Sequence, residues 1–214
     1  MTITHVLRHR EAPSFYFSEA IRGPTIGVHP HVPGFLNVDV KYLPKLADES
    51  SRRYLFVAID RATRWVYLGV RSSKSGTAAR YFLKRLLERA PFYVTQVLTD
   101  NGKEFTDRFV VTGERHPTGR HPFDRLCAEH GIQHRLTKPR RPQTNGMVER
   151  FNGRIADLLR TSRFNSGEQL QDTLRNYLYL YNHSIQQQAL GHRTAVVPRG
   201  LATNTPLPLS KTGL

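Results

Sequence analysis

The chain has 214 residues and carries 32 Lys+Arg against 17 Asp+Glu, a formal net charge of +15 at pH 7. Hydrophobic residues at 38% and aromatic residues at 10% suffice for a core and exclude wholesale disorder. One cysteine excludes an intrachain disulfide and a cysteine-rich zinc site, and fits a reducing compartment.

Arginine outnumbers lysine 25 to 7. A planar, permanently charged fork suits phosphate better than a point charge does, so nucleic acid is the leading partner. No apolar run reaches transmembrane length and neither end reads as a basic amphipathic helix, which disfavours a membrane. The opening MTITHVLRHREAP lacks the apolar centre of a secretory signal. The expected location is cytoplasmic and nucleoid-associated.

Residues 1–33 read as a lead-in with four prolines and at most a short helix around Phe15 to Arg22. His29 and His31 lack a third nearby ligand and read as loop residues. From Phe35 the pattern alternates, with Leu36, Val38, Val40 and Tyr42 on one face and Asn37 and Asp39 on the other. YLFVAID (Tyr54 to Asp60) and WVYLGV (Trp65 to Val70), joined by RATR, predict a hairpin, giving three antiparallel strands. Ser75 or Thr77 caps a helix running to about Arg89, with Pro91 beyond its end. VTQVLTD (Val94 to Asp100) is the next strand, and the strand–helix–strand order implies a parallel crossover.

Residues 104–120 mix charge, glycine and proline and read as a surface excursion. Pro122 to His130 is a helix closed by Gly131, and Ile132 to Leu136 a short strand. Leu136 to Arg154, LTKPRRPQTNGMVERFNGR, is a proline-stiffened basic loop running into a helix. Val148, Phe151, Ile155 and Leu158/Leu159 recur there at helical spacing, which puts Glu149 in the first turn. Ser166 and Gln169 form a capping box for a last helix whose stripe is Leu170, Leu174, Tyr177, Leu178 and Tyr181. The predicted fold is α/β, a mixed sheet flanked by helices. It comprises a lead-in (1–33), a core (34–193) and a loosely held tail (194–214).

Asp39 sits on a strand whose composition disfavours it, and Asp100 ends a strand where open α/β sheets place ligands. With Glu149, these carboxylates from three elements suit a pair of Mg²⁺ ions facing phosphate, with Mn²⁺ as a substitute. Asp60, Glu104 and Asp107 compete for the role; Asp60 before RATR fits a hairpin turn better, Asp107 lies in the excursion, and no spacing rule alone selects the trio. Lys138, Arg140, Arg141, Gln143, Asn145, Arg150 and Arg154 surround Glu149 and are the candidate DNA contacts.

LNVDVKYL, VLTDNGKEF, LCAEHGIQHRLTKPRRPQTNGMVERFNGRI and YNHSIQQQALGHRT together resemble the integrase-type catalytic core of insertion-sequence transposases and retroviral integrases. These are the DDE polynucleotidyl transferases. The resemblance spans about Gly34 to Arg193 and is nearer to the insertion-sequence members. It implies a ribonuclease H-like fold, Asp39, Asp100 and Glu149 as catalytic metal ligands, and multimers acting on DNA element ends and target DNA. The implied reaction is metal-dependent cleavage at an element's 3′ ends, then attack of the freed hydroxyl on target DNA. No covalent protein intermediate is involved.

The 48 residues between Asp100 and Glu149 exceed the retroviral pattern, and Thr194-Ala195 stands where relatives tend to have Thr-Pro. Only 38 residues precede Asp39, and neither a helix-turn-helix nor a zinc module fits there. The alternative expectation is therefore a truncated, non-catalytic DNA-binding relic or regulator of a full-length transposase. A ribonuclease H or junction nuclease on the same fold is the third, disfavoured by the PQTNGMVERFN loop.

Overall fold

In the computed structural model, residues 32–46, 49–110, 113–114, 116–137 and 146–195 are described. The apolar runs form one five-stranded mixed sheet. β1 (Phe35–Tyr42) pairs antiparallel with β2 (Tyr54–Asp60), which pairs antiparallel with β3 (Val66–Arg71). On its other edge β1 pairs parallel with β4 (Gln96–Thr99), and β4 pairs parallel with β7 (Gln133–Leu136). The order is therefore β3-β2-β1-β4-β7, with a separate small hairpin of β5 (Phe109–Val110) and β6 (Gly113–Glu114).

Both faces of the sheet are covered, as the run in β2 requires. Phe56 and Ala58 belong to one core with Leu36, Val38, Phe82 and Phe123, beneath α1 (Gly76–Arg89) and α2 (Pro122–Glu129). Their neighbours Leu55, Val57 and Ile59 point the other way, as strand pleating demands. They join Phe151, Ile155, Leu170 and Leu174 of α3 (Gly146–Thr161) and α4 (Gly167–His183). Each fully buried Leu or Phe contributes about 1.5–3 kcal/mol of transfer free energy, so the two layers anchor β1 and β2 from both sides.

Local chemistry sets the helix limits. The Ser75 hydroxyl accepts from Ala78 N at 3.2 Å at the start of α1. At α4, Ser166 Oγ accepts from Gln169 N at 3.2 Å, while Gln169 Oε1 accepts from Asn165 N at 2.9 Å. Gly131, at φ +65°, turns the chain from α2 into β7.

Three details refine the sequence reading. The strand expected over 94–100 is shorter, Gln96–Thr99. The polar face of β1, with Asn37 and Asp39, is covered by α3, and Asn37 is fully buried. The excursion begins later than residue 104, because Glu104, Phe105 and Thr106 are buried. Phe105 packs between Phe56 and Phe123, with ring centroids 6.2 and 5.3 Å away, so it belongs to the core. The expected lead-in helix, His29, His31 and the tail beyond Ala195 lie outside the described residues.

Candidate functional site

The site grows from the middle of the sheet. Asp39 lies on β1, opposite Val57 of β2, and Asp100 directly follows β4, the parallel neighbour of β1. The two carboxylates sense each other. Asp39 is held above the ordinary 3.8 chiefly by burial; the Asp100 charge raises it further, while hydrogen bonds and Lys74 oppose the shift. Asp100 Oδ1 accepts from Gly102 N at 2.9 Å, which fixes the turn after the strand.

Glu149 stands exposed in the first turn of α3. One turn further on, Asn152 is nine-tenths buried and its Nδ2 donates to Asp39 Oδ2 at 2.7 Å. Lys41 Nζ donates to the Asn152 carbonyl at 3.2 Å, a second tie between β1 and the helix. Thus the helix that carries Glu149 is pinned to the strand that carries Asp39. Among the described residues, no group of three or more His, Cys, Asp or Glu side chains is arranged to hold a metal ion. The structure brings Asp39 and Asp100 together and leaves Glu149 outside that pair.

The competing carboxylates are committed elsewhere. Asp60 is fully buried and accepts from Gly34 N, Ala62 N, Thr63 N and Thr63 Oγ1 at 2.7–3.1 Å, so it is the hairpin's turn residue. Asp107 accepts from Thr118 N at 3.0 Å and from the Thr118 hydroxyl. Glu104 Oε1 lies 3.1 Å from Lys74 Nζ but outside hydrogen-bond alignment, so the contact is an ion pair. A Cβ on Gly102 would lie 2.5 Å from Glu104 Oε1, so a larger residue there would have to displace the Glu104 carboxylate.

Two features escaped the sequence reading. Asn152 is the polar residue on the buried side of α3, legible only once that helix's facing is known. Lys74, just before α1, adds positive charge near Asp39 and Asp100 while paired with Glu104. Behind Asp100, His134 Nε2 lies 2.8 Å from Thr99 Oγ1, and His134 Nδ1 faces Asp124 Oδ1, tying β4, β7 and α2 together. Arg150 and Arg154 are exposed on α3. Lys138, Arg140, Arg141, Gln143 and Asn145 lie outside the described residues.

The stretch that carries Asp39 and Asp100, and the one that carries Glu149, each match a known family in sequence. The integrase core domain family matches residues 29–142, and a second integrase core model of that name matches residues 130–194. The chain belongs to the integrase core domain family. This core is 26% identical over 167 residues to an ORF3 protein of Spiroplasma virus SpV1-C74 that is named as an integrase. That match covers 75% of the chain and 46% of the viral protein. It is 30% identical over 132 residues to a 39.2 kDa protein of insertion element IS476 from Xanthomonas euvesicatoria, covering 60% of the chain and 34% of that protein. The chain thus spans less than half the length of these relatives.

Solved structures agree on the fold. An intasome of simian T-cell lymphotropic virus, in complex with a PP2A regulatory subunit, superposes with a TM-score of 0.59 at 17% identity, covering 86% of this chain and 60% of that one. The HTLV-2 integrase catalytic core domain in complex with magnesium gives 0.55 at 17% identity, covering 76% and 93%. The integrase core here therefore has the ribonuclease H-like architecture expected from its sequence. No helix among the described residues is long and apolar enough to cross a membrane.

Proposed function

We propose that this chain is the catalytic core of a transposase or integrase that cleaves DNA strands and joins them to target DNA, using divalent metal. The observation that carries the proposal is the Asp39–Asp100 pair, with Asn152 clamping the helix of Glu149 onto the first of these strands. Their oxygens are hard donors, and a half-buried carboxylate held above its usual range by burial and by a like neighbour favours a cation beside it. The donor set fits Mg²⁺, with Mn²⁺ as a substitute. Asp39, Asp100 and Glu149 would hold it, as two ions in the working complex.

When bound, such ions polarise the scissile phosphate and help generate the attacking oxygen. The chain's own residues do the rest. Asn152 orients the Asp39 carboxylate by donating to Oδ2. The Gly102 amide holds Asp100 Oδ1 in the turn. Lys74, on the same side, adds a positive charge that favours the incoming phosphate. Basic and amide residues around Glu149 (Lys138, Arg140, Arg141, Gln143, Asn145, Arg150 and Arg154) hold the flanking backbone. DNA element ends and target are the partners, and at least a dimer is the working unit.

The deciding experiment uses a branched DNA that mimics the joined product, which pre-positions the reacting ends. With Mg²⁺ or Mn²⁺ the wild type resolves the branch, and Glu149→Gln does not. Resolution without metal, or unaffected by Glu149→Gln, refutes the proposal. DNA binding without reaction in either protein would favour a non-catalytic regulator, a reading supported by the +15 charge alone.

A further inference from the structure

The arginines of α3 point to a second site. A cavity of about 300 Å³ lies between the β2–β3 turn, α3, α4 and the 3₁₀ turn Gln188–Leu190. Arg64, Arg150, Arg154, Tyr181, Gln187 and Gln188 line it, and no carboxylate among the described residues does. Arg150 and Arg154, four residues apart, share one face of α3. Asn152 lies two residues from each, about 200° round the helix, so the flank that meets Asp39 is the opposite one. The cavity is therefore separate from the carboxylate pair.

Arg64 is the decisive residue. It occupies the left-handed region at φ 63°, a conformation costing on the order of 1 kcal/mol for a side-chain-bearing residue. The turn imposes this, with Arg64 N donating to the Asp60 carbonyl at 3.0 Å. Its Nε and Nη1 are buried with no hydrogen-bond partner among the described residues. Burial and the nearby Arg150 charge both disfavour its protonated form, while the Tyr181 hydroxyl and Asp60 offset this. Arg154 lies over the Tyr181 ring, 5.9 Å from its centroid. Buried guanidinium donors without acceptors, beside two more guanidinium groups, lack one thing: an anion.

We propose that this cavity binds a phosphate group of the nucleic-acid backbone, with Arg64 as the buried donor and Arg150 and Arg154 as the rim. Identifying the anion as backbone phosphate rests on the DNA-processing function proposed above; the cavity's need for an anion does not. A second copy's carboxylate fits less well. Two of the exposed acids of α3 and α4, Asp157 and Asp172, already pair with Arg160 and Arg175 at 3.0 and 2.8 Å.

The test measures duplex DNA binding without divalent metal, across a salt series, so a failure of strand chemistry leaves it interpretable. Arg64→Asn removes the guanidinium with a residue that tolerates the left-handed region. Arg150→Gln and Arg154→Gln change exposed positions, and thermal unfolding checks that all three variants are folded. Each is expected to weaken binding several-fold, irrespective of DNA sequence, and to reduce the salt slope by about 0.9. Lys84→Gln, at an exposed position of α1, keeps the wild-type slope. Unchanged slopes in the three variants, or an equal loss in Lys84→Gln, overturn the proposal. So does tight binding of inorganic phosphate with duplex affinity unaffected by the variants, which assigns the cavity to a free anion. A shift in sedimentation mass with unaffected duplex affinity also overturns it, by assigning the cavity to a second copy.

Discussion

Cutting the Asn152–Asp39 hydrogen bond should reveal a coupling of about 2 kcal/mol between β1 and α3. The bond is 2.7 Å long, Asn152 is nine-tenths buried, and Asp39 is half-buried. A hydrogen bond to a charged group in such surroundings is worth about 1.5–3 kcal/mol. Asp39→Ala, Asn152→Ala and the double variant form the cycle that isolates the term. Urea unfolding followed by tryptophan fluorescence serves as the assay, because Trp65 is the chain's one tryptophan and packs edge-on against Phe92 at 5.5 Å. Unequal slopes with urea would show a change in denatured-state compactness and invalidate the comparison. At acid pH the carboxyl is protonated, and the coupling falls to the neutral range of about 0.5–1.5 kcal/mol. Because Asp39 titrates above 3.8, that fall begins at higher pH than for an ordinary aspartate. Coupling below about 0.5 kcal/mol at pH 7 is within ordinary additivity and would refute the clamp.

Asp39→Asn keeps an oxygen for Asn152 and removes a charge that the fold tolerates poorly. The folded chain holds the Asp39 proton more tightly than the unfolded one, so this group's stabilising contribution is full below 3.8 and is lost as pH rises through the folded value. The variant is therefore more stable than wild type at pH 7, read as a higher Tm, with no advantage below pH 3.8; a Tm unchanged at pH 7 contradicts this. Lys74→Ala strands the Glu104 carboxylate, which is only 3% exposed, at a cost of about 3–5 kcal/mol. Adding Glu104→Gln recovers much of that stability in thermal unfolding, and an additive double variant refutes the pairing. Cys127 is buried, with its thiol pushed up to about 12 chiefly by burial. Thiol reagents are expected to label it only on unfolding, and rapid labelling of the native protein contradicts that.

The apolar patterns were legible because period and punctuation agreed: β1, β2, β3, α1, α2, β7 and α4 lie where alternation, caps and prolines put them. Asp60 was equally legible, since a strand-end aspartate before RATR has backbone donors within reach. Phe105 was not. It lies in a glycine- and charge-rich stretch, and only tertiary packing between Phe56 and Phe123 brings it into the core. The candidate carboxylates Asp39 and Asp100 could be named from the family phrases, yet the Asn152 clamp depends on a helix crossing a strand 113 residues away. Arg64 was hidden for the same reason. A turn arginine reads as solvated until α3 and α4 close over it.

Gly153 connects the two flanks of α3 and carries the last prediction. It is exposed, between Asn152 and Arg154, and a Cβ there meets nothing within 4 Å. A mid-helix glycine costs about 0.5–1 kcal/mol relative to alanine, so Gly153→Ala should raise stability by that amount, read as a Tm about 2–4 °C higher. Stability alone thus gives no reason for glycine at this position. Gly153 and Glu149 are four residues apart and share a helix face, so bare backbone at 153 leaves the approach to Glu149 open. If phosphate must reach Glu149 along that face, a side chain at 153 obstructs it in proportion to its size. Gly153→Ala and then Gly153→Leu should therefore lower branch resolution stepwise while both remain as stable as wild type or more so. Full activity in Gly153→Leu would show that the strand reaches Glu149 from another side, and lost stability in Gly153→Ala would contradict the open space around Gly153.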